Sequence, residues 1–201
     1  MAGRLQFIGL EFLICVLCIL SGGCSETEQR KVELLGRIDH GFGNPDIHFE
    51  LGQIYETERK WELSAYHYDV SFGSNPAQKD AQAMRVKSLK DGGDAARAKS
   101  NADIFINQVN HSAIESLQLA MAFQKEGLDD SALACYMQAL KLMPNSSRTN
   151  RQIGYYYLLH NDNDNAKTYL MRSVQINPTQ NDVASDLGRL GVPMNVPPKK
   201  K

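Results

Sequence analysis

The sequence predicts an all-α fold, a solenoid of about four helical hairpins closed by one capping helix. Two observations carry this. From Ser147 to Gln180, Ile153 and Gly154, Tyr157, Ala166, Leu170, Ser173 and Pro178 occupy positions 7, 8, 11, 20, 24, 27 and 32 of a 34-residue frame. The same spacing recurs in the preceding frames with no gap between them. Antiparallel helices joined by a short turn meet where a small residue faces a bulky one, and proline cannot continue the second helix. A single hairpin leaves an apolar face uncovered, so neighbours at the same period are required.

Each frame can be justified in turn. The first, Pro45 to Gln78, places Leu51, Gly52, Tyr55, Tyr68, Ser71 and Pro76 at positions 7, 8, 11, 24, 27 and 32. It opens with Asn44 as N-cap and Pro45 at the first helical position, where a missing N–H costs nothing. The second, Lys79 to Ser112, is degenerate: Leu89, Ala98 and Ala102 fit positions 11, 20 and 24, and Val86 stands where a small residue is expected. Its assignment rests on register. The third, Ala113 to Ser146, has Leu119, Ala120, Phe123, Ala132, Tyr136, Ala139 and Pro144 in place, and Ser112 with Glu115 forms a capping box at its start. After the fourth frame, Asn181 onward gives Leu187 and Gly188 at positions 7 and 8 before Pro193 intervenes. Only a first helix fits, and residues 181–191 are expected to cap the array.

These residues resemble the tetratricopeptide repeat family. The likeness spans the chain from Pro45 to the cap. Position 4, usually Trp in the family, is His48, Gln82, Ser116 and Asn150 here. The resemblance implies that first helices line a concave face, with positions 2, 5, 9 and 12 turned toward a bound segment. The groove residues it implies are Phe49, Gln53, Lys87, Leu117, Met121, Arg148, Arg151, Tyr155, Leu158 and Arg189. Leu117, Met121, Tyr155 and Leu158 would form an apolar floor between Lys87 and the arginines. Some relatives clamp a terminal carboxylate with Lys at position 5 and Asn at position 9. Those positions here read Phe49 and Gln53, then Ala83 and Lys87, so that clamp is absent.

The first 23 residues read differently. Arg4, an apolar run from Phe12 to Leu20, and Ser21-Gly22-Gly23 before Cys24 resemble the export signal and lipobox of a bacterial lipoprotein. Such a resemblance implies acylation of the Cys24 thiol and anchoring at the cell envelope. Ser25 after the Cys points to the outer membrane, facing the periplasm. Leu20 lies one place too early for the family pattern, and Glu11 abuts the apolar run. An ordinary signal peptide or an uncleaved anchor is the alternative, although the run is short for a bilayer span. Residues 24–44 are expected to form a tether with a short helical segment leaning on the first repeat. Residues 192–201, with three prolines and three lysines, are expected to form a disordered basic tail.

Chemistry is sparse. A formal charge of −1 with 22 basic and 23 acidic residues gives no basic stripe for nucleic acid. The run Asn161-Asp162-Asn163-Asp164-Asn165 resembles the start of a calcium loop but lacks the Gly and Glu that complete one. His40, His48, His67, His111 and His160 show no metal spacing. Cys135 has no catalytic partner in reach of the sequence argument. No cofactor, metal or catalytic residue is expected. The sequence therefore points to a non-enzymatic adaptor that holds another envelope protein or peptide segment, attached to the membrane by lipid. The alternative is a binding protein for a small molecule or cell-wall fragment.

Overall fold

The computed structural model describes residues 25–38 and 44–193. The export signal of residues 1–23, the lipidation residue Cys24 and the tail beyond residue 193 lie outside the described residues. Among the described residues there are ten helices and no strand: α1 Glu26–Ile38, α2 Pro45–Thr57, α3 Trp61–Ser74, α4 Lys79–Asp91, α5 Ala95–Gln108, α6 Ala113–Lys125, α7 Asp129–Leu142, α8 Ser147–Leu159, α9 Asn163–Ile176 and α10 Asn181–Arg189. In all four frames, the degenerate one included, the first helix starts at position 1 and the second at position 17. The fold is thus the all-α stack of helical hairpins expected, with α10 as a lone final first helix.

Local chemistry sets these boundaries. Asn44 accepts from the N–H groups of Asp46 and Ile47, and Pro45 follows it. Ser112 caps α6 through the N–H of Glu115 at 3.3 Å, while its own N–H donates to Val109 O at 3.1 Å. Ser146 and Asp162 cap α8 and α9 in the same way, through Thr149 N–H and Asn165 N–H, each at 3.1 Å. Every hairpin turn places position 15 in the left-handed region: Arg59 at φ 56°, Gly93 at 89°, Gly127 at 67° and Asn161 at 58°. The next N–H then reaches back to the carbonyl at position 11, as from Lys60 to Tyr55 and from Leu128 to Phe123. The Asn–Asp run thereby receives a structural role, because Asn161 makes the turn and Asp162 caps the helix.

The chain divides into two compact units, Met1–Asn101 and Ala102–Lys201. In the first, α1 is docked rather than free: Leu34, Leu35 and Ile38 share a buried cluster with Ile47, Leu51, Ile54 and Tyr55 of α2. Lys31, 3% exposed, pairs with Glu58 at 2.6 Å and Glu28 at 2.9 Å, and Arg30 grips Glu50 through two hydrogen bonds of 2.6 and 2.8 Å. The α2–α3 hairpin closes where Gly52 meets the Tyr68 ring; a Cβ on Gly52 would lie 2.6 Å from Tyr68 Cε1. Tyr68 also packs with Ala81 and Met84 of α4.

In the second unit the same device joins α8 and α9. A Cβ on Gly154 would lie 2.6 Å from Leu170 Cγ and Cδ2, so only glycine lets Leu170 fill this space. Leu170 in turn packs with Val183 and Leu187 of α10, which closes the apolar end of the array. A second lock is polar. Ser173 donates to Ser147 O at 2.8 Å, and Gln180 donates to both Ser173 O at 3.0 Å and Asn177 O at 3.1 Å. At the same frame positions in the first unit, Ser71 donates to Pro45 O at 2.8 Å and to Gln78 Oε1 at 2.7 Å.

Candidate functional site

In each unit the candidate surface is formed by positions 2, 5, 9 and 12 of the first helices. In the first unit, Phe49 is half-buried with its ring 5.6 Å from that of Tyr68, and Gln53 is exposed. Lys87 is not a free cation: it donates to Glu56 at 2.5 Å and to Asp91 at 2.9 Å. Burial opposes its charge, but these two carboxylates outweigh it and raise its pKa.

In the second unit, Leu117 is 4% exposed and belongs to the core. It leaves the expected floor, because a fully covered side chain presents no surface. Met121 is 37% exposed, and Ile114 on the same helix is 63% exposed. Tyr155 and Leu158 are half-buried against the cluster that α10 completes. The Tyr155 hydroxyl donates to Asp186 at 3.1 Å, and burial together with that carboxylate pushes its pKa up to about 12. Arg151 lies 3.8 Å from Asp182, and Arg189 pairs with Asp186 at 3.1 Å. Arg148 is exposed, with no ion pair among the described residues.

These contacts obey one rule. Glu56 to Lys87, Arg151 to Asp182 and Tyr155 to Asp186 each link residues 31 apart, so a position on one first helix meets the position three earlier in the next frame. The same offset leads back from Arg148 to Leu117, which is apolar. Arg148 therefore lacks the anionic neighbour that Arg151 and Lys87 possess. The reading of the frames alone missed Asp182 and Asp186, although an offset of 31 would have found both.

The remaining chemistry is quiet. Cys135 is fully buried, and burial pushes its thiol up to about 12, which leaves it unreactive at neutral pH. Among the described residues no group of three His, Cys, Asp or Glu is placed to hold a metal ion, and no helix is long and apolar enough to cross a membrane. The hollows lined by Glu26, Arg30, Glu50 and Ile54 and by Asn110, Met137, Gln138, Lys141 and Leu142 include neither Arg148 nor Arg151.

A family model described as tetratricopeptide repeat matches residues 116–146 and 149–180. The two hairpins α6–α7 and α8–α9 thus match the tetratricopeptide repeat. Comparison of the sequence with curated proteins gives no match. Solved structures similar to this chain include MamA, at 16% identity and a TM-score of 0.43 over 74% of this chain and 83% of that one. YrrB, described as a tetratricopeptide repeat protein with an unusual peptide-binding site, has 13% identity and a TM-score of 0.43 over 89% and 90%. PilF of Pseudomonas aeruginosa has 19% identity and a TM-score of 0.40 over 73% and 67%. Stacked hairpins of this kind create extended surfaces on which proteins and peptides are bound.

Proposed function

We propose that this chain is a non-catalytic adaptor of the bacterial cell envelope, held by lipid on Cys24 and facing the periplasm. It binds a segment of another envelope protein on the first-helix face of its third and fourth repeats. The observation that carries this reading is the contrast among the cations. Lys87, Arg151 and Arg189 have carboxylate neighbours, whereas Arg148 is exposed on a face that also carries exposed Ile114 and Met121.

An exposed cation on a helix face that also carries exposed flexible and branched apolar side chains fits a segment in which an acidic residue is flanked by aliphatic ones. The partner is thus a protein or peptide with that pattern, and no nucleic acid is called for. A photo-crosslinking residue placed at Met121 in the full-length protein, expressed in its own cells, tests this. Crosslinks to one envelope protein from position 121, and none from Lys141 on a second helix, are expected. Crosslinks from Lys141 alone would move the binding face. The anchor is tested separately by Cys24→Ser, which is expected to leave an unlipidated precursor or a soluble form. A variant that still fractionates with membranes, with no precursor, would refute lipidation.

A further inference from the structure

We propose that the buried pair of His48 and His67 is an acid-sensitive latch that holds the first repeat closed at neutral pH and opens it, with α1, on mild acidification. The two side chains come from α2 and α3, the two helices of one hairpin, and each is 1% exposed. Their Nδ1 atoms lie 2.9 Å apart. Only one of these atoms can carry the hydrogen between them, so the contact requires one ring to be a neutral Nδ1–H donor and the other a neutral acceptor.

Among the described residues, aromatic rings pack against His67. Tyr55 of α2 stacks on His67 at 5.2 Å, and Tyr66 of α3 meets it edge-on at 5.2 Å. Lys31 from α1 and Lys60 from the turn each place an ammonium 5.8 Å from the centre of the Tyr55 ring. Both have the sign of an imidazolium. The carboxylates of Glu28 and Glu58 are already engaged by Lys31. Nε2 of His67 is buried with no hydrogen-bond partner among the described residues. Burial first, and then the charge of His48, push His67 down to about 3, and burial lowers His48 as well.

The direction follows from linkage. Both folded-state values lie below the ordinary histidine value, so the opened state binds more protons, and closure weakens as pH falls below about 6.5. For His67 alone, neutral when closed and ordinary when open, the opening constant rises about 25-fold between pH 7 and pH 5. His48 adds to this in the same direction. Opening separates α2 from α3 and removes the platform of Leu51, Tyr55 and Glu58 on which α1 rests. The second unit responds differently. His160, hydrogen-bonded to the Tyr156 carbonyl and paired with Asp129 at 3.1 Å, has a raised pKa, so its bridge strengthens as pH falls.

Hydrogen–deuterium exchange of the full-length protein at pH 7 and pH 5, corrected for intrinsic rates, tests the latch. Residues 26–38, 45–57 and 61–74 are expected to lose protection by 25-fold or more at pH 5, while residues 113–125 and 129–142 keep theirs. The double variant His48→Phe/His67→Phe replaces both partners by apolar rings and should abolish the loss. Fluorescence of Trp61, the sole tryptophan and the first residue of α3, gives an independent readout. Equal protection of the first repeat at both pH values, or parallel loss in both units, overturns the proposal even if the double variant does not fold.

Discussion

Replacing Gly154 by alanine should destabilise the protein, whereas the same replacement at Gly188 should not. The new Cβ at residue 154 would lie 2.6 Å from Leu170 Cγ and Cδ2 and 3.2 Å from the Leu170 backbone nitrogen. Carbon atoms pack best at about 3.5 Å or more, so the shortfall is about 0.9 Å (3.5 − 2.6). Leu170 is fully buried against Val183 and Leu187 and cannot swing into solvent. Either α8 and α9 separate or the capping contact shifts, at a cost of about 1–3 kcal/mol. Alanine regains up to about 1 kcal/mol of helix propensity, at Gly188 as at Gly154. A Cβ at Gly188 meets nothing within 4 Å. The difference between the two variants therefore isolates the overpacking, about 1–3 kcal/mol in favour of Gly188→Ala. Gly154→Leu should fall at the upper end of the loss, and Lys167→Ala on α9 should change little. Urea denaturation followed by circular dichroism measures all four. Coincident midpoints for the two alanine variants would refute the account of how this hairpin closes.

Other consequences follow from single contacts. Arg59→Gly should stabilise the first hairpin by roughly 0.5–1 kcal/mol, because a left-handed non-glycine residue is strained and glycine is not; a thermal melt below wild type would contradict this. Lys31→Met should cost about 1–3 kcal/mol by removing the buried cation that bridges Glu58 and Glu28, and it should raise exchange in residues 26–38 more than in the second unit. His160→Gln should remove a bridge to Asp129 that is present at low pH and lost as pH rises through the raised histidine value. The variant should therefore differ from wild type more at pH 5 than at pH 8 in chemical denaturation.

Much of this architecture was legible in the frames. Helix starts at positions 1 and 17 hold even in the second repeat, where Val86 departs from the pattern yet is buried. Register survives such departures because the turn is specified separately, by Gly93 as by Asn161. The site was legible only in part. Periodicity names the residues on a face but not their neighbours across helices, which depend on the 31-residue offset. For that reason the engagement of Lys87 by Glu56 and of Tyr155 by Asp186 was not foreseen, nor the burial of Leu117. A short helix leaning on the first repeat was expected, but its contact through Lys31 and the meeting of His48 with His67 join residues that no repeat position relates.

Quantitative capture of envelope proteins on the full-length chain bears most directly on the adaptor function. Wild type is compared with Met121→Asp/Arg148→Glu, which changes two exposed side chains of the first-helix face, and with Lys141→Glu on a second helix. All three should share one melting temperature. The account predicts one protein captured in stoichiometric amount by wild type and by Lys141→Glu, with at least a tenfold loss in the double variant. Retention by the double variant together with loss by Lys141→Glu would contradict it.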